Sequence, residues 1–151
     1  MNDLDYMQLA LEEAEKAAIR GEVPVGAILV DAEGNIIGRG GNRSIEDCDP
    51  AGHAEIVTLR QAGQRVTNYR LAGSTLYVTI EPCAMCAGAI VHARVSRLVY
   101  GAEDSKAGAI VSCYRIGSDR KLNHTLEVTG GILREQSSEL LRSFFRDRRG
   151  K

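Results

Sequence analysis

The densest chemistry in the chain lies in two short segments, His53-Ala54-Glu55 and Pro82-Cys83-Ala84-Met85-Cys86. They supply one imidazole, two thiols and a carboxylate two residues beyond the imidazole. Two sulfurs and one nitrogen suit zinc. A structural zinc site closes with four protein ligands, whereas three leave a position for water. The ion lowers the pKa of that water to about 7, which makes hydroxide available at neutral pH. Glu55 is badly placed to ligate beside His53 but near enough to reach the water and move its proton. The pattern predicts metal-assisted hydrolysis, with one zinc ion per subunit held by His53, Cys83 and Cys86, and Glu55 as the catalytic acid and base. Each pair alone is a weak signal, since Cys-x-x-Cys also occurs in redox sites and zinc knuckles. Their joint occurrence, each at an expected helix start, carries the reading.

The elements must bring these groups together. At a helix start, a spacing of three places the Cys83 and Cys86 sulfurs on one side. Two helix N-termini aimed at the site favour thiolates and a bound hydroxide. Leu4, Met7, Leu11, Ala14 and Ala18 recur at helical spacing, with Asp3 as expected N-cap and Gly21 as stop. Residues 25–30 and 36–40 read as a hairpin turning at Ala32-Glu33-Gly34-Asn35. A helix is expected from near Pro50 to about Ala62, a strand over Thr75–Ile80, and a helix over roughly 84–93. Further strands are expected at 98–100 and 126–129. The closing helix spans 135–148, with Leu140, Leu141, Phe144 and Phe145 as its apolar side and at least one of the two phenylalanines in the core. Residues 104–124 have weak periodicity and read as a functional loop, with room for a short helix. The alternation predicts an α/β fold, a three-layer α/β/α sandwich around a mixed five-stranded sheet, formed as one domain over 1–151.

With 151 residues the chain can bury a proper core. Acids from the first residues onward argue against a signal peptide, and no run is apolar enough to span a membrane. Cys48, Cys83, Cys86 and Cys113 are then expected as reduced thiols in a cytoplasmic protein. The formal net charge of −1 decides nothing about nucleic acid. Its distribution says more: Arg142, Arg146, Arg148, Arg149 and Lys151 crowd the C-terminus against Asp147. Such a run is either a solvated helix end or a phosphate-binding patch. Cys48, Cys113, His92 and His124 are the other candidate fourth ligands. They read more simply as a loop residue, a small packing group, a helix residue and a loop anchor.

The joined motifs resemble the signature of the zinc-dependent cytidine/deoxycytidylate deaminase superfamily. The flanks narrow the resemblance to the bacterial tRNA-specific adenosine deaminases. Segments 22–27, Gly41-Asn42-Arg43, Asn68-Tyr69-Arg70-Leu71, 75–79, Glu81-Pro82-Cys83, Cys86-Ala87-Gly88-Ala89, Leu122-Asn123-His124, Gly131-Ile132-Leu133 and Phe144-Phe145-Arg146 carry it, over about residues 6–149. The resemblance implies a cytidine deaminase-like fold and a zinc-dependent hydrolase acting on a cyclic amidine. In that reaction zinc-bound hydroxide attacks C6 of a flipped-out wobble adenosine in a tRNA anticodon, arginine tRNA by expectation. Glu55 passes protons to the ring and the departing ammonia, and inosine results. It further implies that Asn42 bonds the base and that Val25 and Ala54 help form the pocket. Asp104, Lys106, Phe145, Arg146 and Arg149 lie near the RNA, and the protein is a homodimer. Splayed single-stranded loops are the usual target of such recognition. Two departures stand out: Ala51-Gly52 replaces the family's more common Thr-Ala, which loosens the helix start, and residues 112–121 lack the usual apolar pattern. Two other readings use the same residues. One is a deaminase of free guanine, cytosine or cytidine, which needs no basic aromatic C-terminus. The other is a noncatalytic zinc-stabilised RNA-binding module, which needs no free Glu55.

Overall fold

A computed structural model describes residues 1–149. Helix α1 (Asp3–Ile19) leads into the hairpin β1 (Gly26–Val30) and β2 (Ile36–Gly41). Then follow α2 (Ala54–Val66), β3 (Thr75–Ile80), α3 (Ala84–His92), β4 (Arg97–Ala102), β5 (Glu127–Gly130) and α4 (Arg134–Arg149). The strands form one sheet in the order β2-β1-β3-β4-β5. The β1 strand is antiparallel to β2 and β3, while β3-β4 and β4-β5 are parallel. Helices α1 and α4 cover one face, and α2 and α3 cover the other. This is the expected three-layer sandwich.

Alternation along the strands builds a core on each face. Ala27, Leu29, Leu76, Val78, Leu98 and Tyr100 pack toward α2 and α3. Ile28, Val30, Tyr77 and Val99 pack toward Tyr6, Met7 and Ala10 of α1. The pairing also fixes where the chemistry gathers. Because β1 is antiparallel to both neighbours, β2, β3 and β4 run the same way. Their C-terminal ends, leading to Asn42, Glu81 and Glu103, therefore open on one edge, the usual place for a site in such sheets.

Several expectations change. The N-cap of α1 is Asn2, whose side chain accepts from the Asp5 N–H (3.0 Å) while the Asp5 carboxylate accepts from the Asn2 N–H (2.9 Å). Asp3 is thereby free to bind Arg97. Helix α2 starts at Ala54, four residues after Pro50, because Asp49 folds 49–52 into a turn that accepts the Ala51 and Gly52 N–H groups. Gly52 sits in that turn, where an added Cβ would lie 3.2 Å from Ser44, so it serves close packing and does not loosen the helix. Neither phenylalanine of α4 is in the core: Phe144 is half-buried and Phe145 is 44% exposed. The only buried residue of α4 is Ser137, against Gly101 of β4, and its far end reaches α1 through an Arg148 guanidinium donating to the Gly21 carbonyl (2.8 Å). Residues 103–126 hold turns and no helix. Cys113 is exposed, not a packing group. His124 does anchor the loop, its Nε2 lying 2.7 Å from the Val95 carbonyl oxygen. Lys151 lies outside the described residues.

Candidate metal centre and adjoining cleft

His53 and Cys83 hold equivalent positions. Each is the N-cap of its helix, with extended backbone and no side-chain capping hydrogen bond. Helix N-caps are ordinarily Ser, Thr, Asp or Asn, so these two side chains are left over for another task. Cys86 occupies the third helical position of α3, over which an N-cap side chain naturally leans. Cys83 Sγ and Cys86 Sγ lie 3.6 and 3.5 Å from His53 Nδ1. Zinc bonds of about 2.3 Å to sulfur and 2.0 Å to nitrogen, set tetrahedrally, put such atoms about 3.5 Å apart. The three residues therefore fit a zinc ion, and among the described residues they are the one such donor cluster found. Cys48 and Cys113 are exposed in loops and His92 is exposed on α3, none of them in that cluster.

Glu55 is the second residue of α2 and 4% exposed. Burial lifts its carboxyl to about 7, its own backbone N–H pulls the other way, and the negative charge of Cys83 adds to the rise. A carboxyl poised there can take and give a proton at neutral pH. The two thiols differ. A hydrogen bond from Cys86 draws Cys83 down to about 5, and the same bond, with burial, pushes Cys86 up. Zinc takes thiolates, so binding at such a pair releases protons.

Asn42 joins this centre to its surroundings. Its amide nitrogen donates to the Val23 carbonyl (3.0 Å), and its amide oxygen accepts from the Ala54 N–H (2.8 Å). One donor and one lone pair remain for a ligand. Ala54, fully buried, lies between His53 and Glu55. Next to Val23 opens a cleft of about 820 Å³, whose lining includes Val25, Asp104, Lys106, Phe145, Arg146 and Arg149. The structure thus gathers into one cleft six residues scattered over 125 positions of sequence. Leu141 and Arg142 line it too; the sequence placed them only in the apolar side and the basic run of the closing helix, without assigning either to a site. Glu81, quoted in the sequence only as part of Glu81-Pro82-Cys83 and given no role there, is a carboxylate 3% exposed just past the apolar strand β3. An acid in such a place is the signal that was available.

A second cleft, of about 990 Å³, lies between α2 and α3 on the outer face. Ile56, Leu59, Leu71, Ala89 and Ala93 line it, and Tyr69 stands at it 71% exposed.

Residues 1–102 match the cytidine and deoxycytidylate deaminase zinc-binding region. The chain is 56% identical over 147 residues to a tRNA-specific adenosine deaminase of Haemophilus influenzae, covering 97% of this chain and 85% of that one. It is 48% identical over 144 residues to one of Agrobacterium fabrum, with 95% and 94% covered. A solved structure from work on A-to-I editing by tRNA:A34 deaminases at the wobble position superposes with a TM-score of 0.87 at 47% identity, over 91% of this chain and 99% of that one. A guanine deaminase from Nitrosomonas europaea superposes with a TM-score of 0.78 at 26% identity, over 93% and 83%. The same fold thus serves a free base, and the fold alone does not select the substrate.

Proposed function

The chain belongs to the cytidine and deoxycytidylate deaminase family, among its tRNA-specific adenosine deaminases, and on that premise we propose that it converts the wobble adenosine of a tRNA anticodon to inosine, with arginine tRNA as substrate. The observation that carries this reading is the three-donor centre beside a buried Glu55, joined through Asn42 to a basic and aromatic cleft.

His53, Cys83 and Cys86 would hold zinc, which supplies a water acidified to a pKa of about 7 when bound. Glu55 moves the protons. One proton of water passes to ring N1 and the other to the exocyclic nitrogen, so that C6 gains oxygen and ammonia leaves. Burial excludes bulk water from that carboxyl and keeps its proton affinity matched to neutral pH. Asn42 offers its remaining donor and lone pair to the base edge, between Val25 and Ala54. The anticodon loop lies along Asp104, Lys106, Phe145, Arg146 and Arg149, where Phe145 gives a flat apolar surface for a base and the arginines meet phosphates. Free-base deaminases need none of these cleft groups, which favours RNA over guanine, cytosine or cytidine.

The proposal extends to a single deaminase domain over 1–151, a cytoplasmic location and a homodimer. No helix among the described residues is long and apolar enough to cross a membrane. The apolar cleft between α2 and α3 supports the dimer. The deciding experiment is an inosine assay on arginine tRNA bearing a wobble adenosine, run beside free adenosine, cytidine and guanine. Turnover of the tRNA alone is expected. Turnover of a free base or nucleoside with none of the tRNA would overturn the proposal.

A further inference from the structure

Glu81 directly follows the last residue of β3, Ile80, and directly precedes Pro82 and Cys83. Its Oε2 accepts from the N–H groups of Ile110 (3.0 Å), Val111 (2.8 Å) and Ser112 (3.0 Å). Its Oε1 accepts from the Asp104 N–H (3.1 Å) and the Ser112 hydroxyl. Five donors saturate the roughly four lone-pair sites of a carboxylate. Beside it, the Ala109 N–H donates to the Pro82 carbonyl (2.8 Å). Gly108 passes so close that a Cβ there would stand 2.4 Å from Glu81 Cδ. Segment 104–112 is therefore wound around a carboxylate belonging to the metal-ligand turn.

That segment has no helix or strand to hold its shape, and its backbone N–H groups need partners. It also brings Asp104 and Lys106 to the cleft. Asp104 Oδ1 accepts from the Lys106 (3.0 Å) and Ala107 (3.1 Å) N–H groups, so the placement of one fixes the other. We propose that Glu81 is a positioning residue for the RNA substrate: its carboxylate sets segment 104–112, and with it Asp104 and Lys106, at a fixed distance from the Cys83–Cys86 turn. This rests on the reading of the cleft as the RNA site.

The two oxygens make the test specific. In Glu81→Gln the amide oxygen serves the three N–H groups of 110–112, and the NH2 group meets the Ser112 hydroxyl, which can accept. At Asp104 it meets a second donor, so that bond is lost. In the zinc-loaded full chain, amide exchange is expected to rise most at Asp104 and Lys106, with one zinc per chain retained. KM for an arginine anticodon stem-loop is expected to rise roughly tenfold, as for one lost charge-assisted bond, with kcat little changed. Gly108→Ala pushes the segment off the carboxylate from the other side and should show the same KM effect and zinc content, which keeps the test open if Glu81→Gln folds poorly. Unchanged exchange at Asp104, or zinc loss and a fall in kcat at constant KM, would overturn the proposal. Arg149→Ala probes the cleft separately. If it raises KM while Glu81→Gln and Gly108→Ala do not, the role of Glu81 falls alone. If Arg149→Ala leaves KM unchanged, the cleft reading falls and takes the role of Glu81 with it.

Discussion

Glu55 lies at a helix start beside a metal ligand but outside the donor cluster. That separation predicts a separable loss. Glu55→Ala should bind one zinc per chain and lose roughly 10²–10⁴-fold in inosine formation, the usual range for a general acid and base. Metal analysis of the purified variant, beside its turnover of wobble-adenosine stem-loop, makes the check. A variant that loses its zinc would move Glu55 into the ligand set. The types and spacing of His53, Cys83, Cys86 and Glu55 were readable from the chain because a zinc site constrains residue type strongly. The role of Asn42 as a bridge between the Val23 carbonyl and the Ala54 N–H was not. Hydrogen bonds to backbone groups leave no trace in the identity of the partner residue.

Among the elements, the first turn of α1 shows how a local rule yields to a long-range contact. By helix-start statistics Asn2 and Asp3 are both good N-caps. Asn2 caps, and Asp3 instead accepts both Arg97 guanidinium nitrogens (2.9 and 2.7 Å) and the Tyr77 hydroxyl (2.7 Å). Arg97 also donates to Thr129 (3.1 Å), so one cluster ties α1 to β3, β4 and β5. The Arg97 hydrogen bond holds the Asp3 carboxyl below its ordinary value of 3.8. A depressed carboxylate pKa stabilises the fold above the unfolded value and ceases to do so as pH falls through the folded one. Asp3→Asn is therefore expected to cost about 1 kcal/mol at pH 7, discounted for partial exposure, and progressively less below pH 3.8. Urea midpoints of both proteins at pH 7 and pH 3 test this. An equal difference at both pH values would show that the charge contributes nothing. The late start of α2 has a similar origin, in the claim of Asp49 on the Ala51 N–H. Strand positions were easier to read, since the run 75–80 is apolar and β-branched and becomes β3 unchanged.

At the scale of the whole molecule, the sheet order was the least legible property, because strand pairing depends on contacts distant in sequence. The pairing brings β2, β3 and β4 out on one edge and so assembles the centre. It also leaves the apolar side of α4 half covered, which is why Phe145 faces the cleft and not the core. The outer face of α2 and α3 is a different case. Its cleft of about 990 Å³ has a floor of Ile56, Leu59, Leu71, Ala89 and Ala93, most of them nearly buried, and a rim of polar residues such as Arg60, Gln64 and His92, the apolar-centre and polar-rim arrangement that a partner is needed to close. The proposed second copy would cover it symmetrically, each copy offering the same patch. Such a dimer would not use the cleft proposed for RNA, since the two clefts share no lining residue. Sedimentation at micromolar concentration should give twice the 16.4 kDa of one chain. Ala89→Arg puts an unpaired guanidinium into the apolar lining and should give one chain's mass, with zinc content unchanged, since Ala89 lies on α3 outside the donor cluster. Wild-type protein sedimenting as a single chain would sink the dimer. A dimer that survives Ala89→Arg would place the interface elsewhere and leave this cleft without a partner.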